Sequence, residues 1–214
     1  MALPACASTV ITDPTWDGSA TIGSIGYPDT STYGEAITTP AGASNVSSFS
    51  FWLNENPGFE FQAFVSPWDN SNYVLTGSML YLSPVTTVSD LNNDLVEYTF
   101  NDVNASVTPG TIYMFGVTVN NVYAYDSAYG AGSMGGDIFA NGNSTNYFAW
   151  NNDSGDGTQL YSNWNNTGCA DNGGSCGQAA FSVTYADTPE PNSLFLLGTG
   201  VLGLAGVVRR KLRV

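Results

Sequence analysis

Apolar residues recur at every second position over much of this chain, a period that admits strands and rejects amphipathic helices. Phe49, Phe51 and Leu53 alternate with Ser50 and Trp52, and Phe59, Phe61, Ala63 and Val65 alternate with Glu60, Gln62 and Phe64. The same beat returns at Val96, Tyr98 and Phe100, at Tyr113, Phe115, Val117 and Val119, and at Phe181, Val183 and Tyr185. Turn-forming clusters fill the gaps: Asn54-Glu55-Asn56-Pro57-Gly58, Asp69-Asn70-Ser71-Asn72, Pro109-Gly110 and Asn151 to Gly157. Short strands joined by such turns predict an all-β fold, an antiparallel β-sandwich spanning residues 8–187. That length is enough to bury a core without metals or many disulfides. No repeat of fixed period is visible, which disfavours a solenoid or propeller.

The C-terminus follows a different pattern. Residues 193–208 (SLFLLGTGVLGLAGVV) carry no charge and satisfy their backbone polar groups in lipid only as a helix. Sixteen residues at about 1.5 Å each span roughly 24 Å, a short but workable crossing of a ~30 Å hydrocarbon layer. All four basic residues of the chain, Arg209, Arg210, Lys211 and Arg213, follow at once. Such a cluster acts as a stop-transfer signal and keeps its end cytoplasmic, so the sandwich is expected to be followed by one C-terminal transmembrane helix with residues 1–190 outside. Gly198, Gly200 and Gly203 match a GxGxxG string, but no strand precedes them and no βαβ unit surrounds them, so a dinucleotide loop is not expected.

Pro189-Glu190-Pro191, the apolar run and the basic tip occur in that order at the extreme C-terminus. Together, residues 188–214 resemble the PEP-CTERM sorting signal of Gram-negative bacteria. The resemblance implies an exported protein, held briefly in the inner membrane and processed by an exosortase-type membrane enzyme. Its destination would then be the cell surface or extracellular matrix, in association with exopolysaccharide or biofilm. A second resemblance rests on Tyr33 to Pro40, Ser48 to Phe51, Phe61 to Asp69, Leu80-Tyr81, Thr108 to Thr111 and Ala180 to Val183. These segments look like the jelly-roll ectodomains that often precede such signals. That implies a jelly-roll-like sandwich with a carbohydrate-facing groove, and it transfers no functional residue.

Residues 1–7 read as the remnant of a signal peptide or as an N-terminal tail. Ala5-Cys6-Ala7 has the small-residue pattern of a cleavage site, while the basic and apolar regions that should precede it are missing. Cys169 and Cys176 bracket a turn-rich hexapeptide and are expected to form a local disulfide in an oxidising compartment. The chain has no His, so a zinc site or a Ser-His or Cys-His nucleophile is not expected.

All 18 acidic residues precede Arg209, and no Lys or Arg does. A surface of that kind repels nucleic acid. No cofactor is expected, apart from a candidate Ca²⁺ at Asp153 and Asp156 within the oxygen-rich Asn151–Gly157 segment, where a solvated turn is the simpler reading. Trp52, at an outward-facing position, and Trp68, near a turn, are candidate sugar-stacking residues. Glu35, Glu55, Glu60 and Glu97 leave a two-carboxylate glycan hydrolase open, but no spacing brings any two together. The chain therefore reads as a non-enzymatic surface or matrix protein. A carbohydrate-binding module and a secreted glycan hydrolase are the alternatives.

Overall fold

The computed structural model of the 214-residue chain describes residues 8–12, 16–26, 30–54, 56–89, 94–120, 122, 132–137, 146–151, 164–166 and 177–187. They form two antiparallel sheets packed face to face. Numbered in chain order, the first sheet holds β1 (Ser8–Thr12), β2 (Thr21–Ile25), β4 (Ala43–Asn54), β9 (Val96–Phe100), β10 (Ala105–Ser106), β12 (Gly132–Asp137), β15 (Gln178–Ala179) and β16 (Phe181–Asp187). The second holds β3 (Thr32–Thr38), β5 (Glu60–Asp69), β6 (Val74–Leu75), β7 (Tyr81–Leu82), β8 (Thr86–Thr87), β11 (Ile112–Thr118), β13 (Asn146–Asn151) and β14 (Asn165–Asn166). The connections from β3 to β4, from β4 to β5 and from β10 to β11 each cross from one sheet to the other. Among the described residues no helix is long and apolar enough to cross a membrane, and the segment 193–208 lies outside them.

The 12-residue β4 is the spine of the first sheet. β16 runs along one side of it and β9 and β10 along the other, while β1 caps the outer edge of β16. The β4–β16 register slips twice, and the hydroxyls of Ser47 and Ser44 donate to the carbonyls of Thr184 and Ala186 at the two irregularities. The short serine side chain thus helps satisfy the ladder where strand pairing is interrupted.

The inward set matches the alternation read from the sequence. Phe49, Phe51, Leu53, Phe61, Val65, Phe115, Val117, Phe181, Val183 and Tyr185 lie in one buried cluster between the sheets. Phe49 is its hub, with ring centroids 5.2 Å from Phe100, 5.6 Å from Phe115, 5.9 Å from Tyr81 and 6.0 Å from Phe51. Phe115 and Tyr81 belong to the opposite sheet, so this one ring ties the two layers together. Tilted and edge-on pairs of this kind add about 0.5–1.5 kcal/mol each beyond buried area.

The outer face of the second sheet departs from simple alternation, because it is buried as well. Ala36, Phe64, Trp68, Leu75, Met114, Tyr147, Ala149 and Trp164 make a separate apolar cluster there, with Tyr73, Met79 and Ile112 packed at its margin. Gly34 and Gly116 are cross-strand partners at its centre. A Cβ on Gly116 would sit 2.6 Å from the Tyr33 carbonyl oxygen and 2.6 Å from Phe64 Cζ. Their bare backbone is what lets Met114 and Phe64 lie across the sheet.

Glu35 is fully buried on β3, at an inward position between Tyr33 and Ile37 and with Phe115 and Phe148 opposite it on the neighbouring strands. Its Oε2 accepts the Ala179 N–H at 2.9 Å. The same short segment is held by Phe148 N–H donating to the Gly177 carbonyl at 2.8 Å and by Ala180 N–H donating to the Gly135 carbonyl at 2.7 Å. Residues 177–180 therefore strap the two sheets together, and Glu35 is the side chain that fastens the strap.

Two stability outcomes follow. Gly116→Ala should lower the unfolding free energy by about 1–3 kcal/mol through overpacking against backbone that cannot retreat, read as a lower denaturation midpoint at unchanged slope. Glu35→Ala should cost at least about 1–3 kcal/mol by stranding the buried Ala179 N–H. Glu35→Gln, which keeps an acceptor oxygen, should recover much of that loss in the same measurement.

Candidate functional site

The outer face of the first sheet collects polar and aromatic side chains. An Asx turn begins it: Asp17 Oδ1 accepts the N–H groups of Ser19 at 2.8 Å and Ala20 at 2.9 Å, around Gly18 at φ 85°. These backbone hydrogen bonds, Ala20 first, hold the Asp17 carboxyl below the usual carboxylate range. The Ala20 carbonyl in turn accepts Trp16 Nε1–H at 2.9 Å, which fixes that indole by its rim. Trp16 lies with its ring centroid 5.3 Å from that of Trp52 on β4, the planes tilted by 51°. Both indoles are half-buried. Beneath them runs Gly135, where a Cβ would come within 2.9 Å of Trp16 and 3.1 Å of Trp52.

Glu97 on β9 is directly opposite Trp52 and exposed. The next row away from the indoles is made of hydroxyls. Thr12, Ser182, Ser50 and Thr99 are cross-strand partners in turn, on β1, β16, β4 and β9. Ser50 is buried and shares a 2.9 Å hydrogen bond with Thr99, whereas Thr12 and Thr99 are exposed and Ser182 half-buried. With strands about 4.8 Å apart, this row extends roughly 14 Å. In the row beyond, Thr184 pairs with Ser48 on one side and with the exposed Val10 on the other.

Trp68, the second tryptophan singled out from sequence, lies elsewhere. It is 6% exposed on β5, packs edge-on against Trp164 with centroids 5.3 Å apart, and donates Nε1–H to the Tyr147 hydroxyl at 2.6 Å. The Tyr147 hydroxyl in turn donates a hydrogen bond to Asn70 Oδ1 in the adjoining turn. Asp69 orders that turn by accepting Ser71 and Asn72 N–H groups, and the Asn72 side chain above all holds its carboxyl below the ordinary range. Trp68 thus serves the apolar cluster on the second sheet and has its indole N–H already engaged. Burial, partly offset by the hydrogen bond from Trp68, pushes the Tyr147 phenol up to about 12. Burial also raises Tyr185, which the Thr39 hydroxyl opposes.

The carboxylates occupy separate places. Glu35 is in the core, Glu60 accepts from Thr87 at the β5–β8 edge, and Glu97 is on the first sheet's outer face. Among the described residues no three of His, Cys, Asp and Glu gather as a metal site. Asp153, Asp156, Cys169, Cys176, Glu55, Pro189, Glu190, Pro191, Arg209, Arg210, Lys211 and Arg213 lie outside the described residues. Trp16 and the hydroxyl row escaped the sequence reading. Strand alternation marks which residues face outward but not which strands will be neighbours.

Residues 187–211 match the family model of the PEP-CTERM protein-sorting motif, beginning at the last residue of β16. The chain carries a PEP-CTERM sorting signal. That signal marks an exported protein, anchored in the membrane and handed to an exosortase, a membrane processing enzyme, before release at the surface. No curated protein matches this PEP-CTERM chain at a significant level. Among solved structures it is similar to the clostridial cysteine protease Cwp84 after propeptide cleavage, with 12% identity and a TM-score of 0.56 over 85% of this chain. The match spans 40% of that protein's length, and at this identity the likeness is one of fold. A Cys-His couple of the cysteine-protease kind cannot be assembled from a chain with no His.

The raised phenols set an alkaline limit. A tyrosine whose folded pKa exceeds its unfolded value of about 10 adds stability that is complete below that pH and disappears as pH rises through the folded value. Stability should therefore fall between about pH 10 and pH 12, the range set by Tyr147. Tyr147→Phe should flatten part of that decline. Denaturant titrations across the range, with phenolate absorbance followed in parallel, check it.

Proposed function

We propose that this chain is an exported cell-surface or matrix protein whose jelly-roll-like β-sandwich acts outside the cell in association with exopolysaccharide, without being an enzyme. The match of residues 187–211 to the sorting motif carries the reading. In it, residues 193–208 form a transmembrane helix that anchors the protein transiently in the inner membrane. Arg209, Arg210, Lys211 and Arg213 keep the tip cytoplasmic. Pro189 and Pro191 hold the chain extended just outside the lipid, where a processing enzyme can reach it. Strands that exchange sheets at β3–β4, β4–β5 and β10–β11 support the jelly-roll-like description.

A binding rather than catalytic role is favoured by the placement of the described glutamates, one in the core and two at separate surfaces. The 18 acidic residues without a base before Arg209 suit an extracellular protein that stays soluble among anionic envelope polymers.

Processing supplies the test. Mass spectrometry of the mature protein from the extracellular fraction should find a C-terminus at or near Pro189-Glu190-Pro191 and no peptide from 192–214. Recovery of the intact basic tip outside the cell would refute the sorting route. Changing Pro189 and Pro191 to Ala should leave the unprocessed form in the membrane fraction.

A further inference from the structure

We infer that the outer face of the first sheet is a binding site for a neutral polysaccharide, centred on Trp52 and Trp16 with Glu97 as the hydroxyl acceptor; this deepens the exopolysaccharide reading proposed above and rests on it. Three independent observations converge on this face. The first is the indole pair. Large aromatic rings are normally drawn into the core, yet both rings here are half-buried on the sheet's outer side, and Trp16 is fixed there by its hydrogen bond to Ala20. A pyranose offers a face of C–H groups that packs on an indole, and a rigid ring loses little entropy on binding.

The second observation is the chemistry beside the rings. Glu97 is exposed and directly opposite Trp52, so a sugar seated on the indole has a carboxylate within reach of its hydroxyls. A carboxylate accepts from two adjacent hydroxyls, and charge-assisted bonds of this kind are the stronger ones. Thr99 and Ser182 continue the polar surface away from the rings, each able to donate and accept. A hydroxyl row that crosses four neighbouring strands is extended, which suits a chain of sugars better than a single small ligand.

The third observation is charge. Before Arg209 the chain has 18 acidic residues and neither Lys, Arg nor His. An acidic polysaccharide would meet repulsion and no ion-pairing partner, whereas a neutral one meets hydroxyls, rings and carboxylate acceptors with no charge of its own to be repelled. Charge therefore selects the class of glycan.

The test is native affinity electrophoresis of the full-length chain, kept soluble with a polyoxyethylene detergent that carries no sugar. Gels contain a neutral polysaccharide (hydroxyethylcellulose, galactomannan or dextran) or an acidic one (alginate or pectate). At least one neutral polymer should retard the wild type, and the acidic polymers should not. Trp52→Ala should weaken that retardation about tenfold or more, with Trp52→Phe recovering part of it. Glu97→Gln, a change at an exposed position, should weaken binding with thermal unfolding unchanged, and it decides the matter should Trp52→Ala fail to fold. Equal retardation of wild type, Trp52→Ala and Glu97→Gln would overturn this site while leaving polysaccharide association standing. Retardation by the acidic polymers alone would overturn the neutral assignment. No retardation in any gel would overturn both the site and the association on which it rests.

Discussion

Everything in this sandwich depends on the contact that Phe49 makes across the layers. Its ring meets Phe100 on its own sheet and Phe115 and Tyr81 on the other, so the separation of the sheets is set by one aromatic cluster. Around it the inward residues are almost all Phe, Tyr, Val, Ile and Leu, whose shapes fit a pleated surface. Among the described residues Glu35 is the one buried acidic side chain. A carboxylate among phenylalanines is costly to desolvate, and its burial is tolerated where it is hydrogen-bonded, here to the Ala179 N–H. The core thus trades some hydrophobic area for a directional contact that fixes where the strap of residues 177–180 lies.

Much of this was legible from residue order alone. Strand alternation places Phe49, Phe51 and Leu53 inward and Trp52 outward, and all four sit as the period requires. Turn chemistry at Asp69 to Asn72 and at Pro109-Gly110 likewise marks the breaks between strands. What alternation does not carry is the environment of an outward face. Phe64 alternates with core residues and so reads as exposed, yet a second apolar layer covers it. Trp68 is buried in that layer for the same reason. Its turn-proximal position said nothing about Trp164, nearly a hundred residues away. Glu35 was visible as a carboxylate, but its burial came from β11 and β13 closing on both sides of β3.

The two sheets divide the labour between stability and contact with the surroundings. The second sheet is covered on both faces, and its outer aromatics already have partners in one another and in Asn70. On the outer face of the first sheet the described residues include Ser, Thr, the exposed Val10 and two indoles held over Gly135. Apolar groups on this face stand among hydroxyls and carboxylates rather than as one contiguous patch, the arrangement that does not by itself invite association. The absence of basic side chains before Arg209 extends the same logic to the whole body, since uniform negative charge keeps copies apart.

The position of β16 has a consequence for the timing of folding. This last strand is not an edge: it lies between β4 and β1, joining the middle of the chain's first sheet to its opening residues. The sheet therefore cannot close until residue 187 has been delivered, and the contacts that close it are among the longest-range the chain can make. Until then the part of the first sheet between β4 and β1 lacks the strand that joins them, while every strand of the second sheet lies earlier in the chain. A strand that pairs with residues 8–12 on one side and with β4 on the other thus makes closure of the first sheet a late step in chain order.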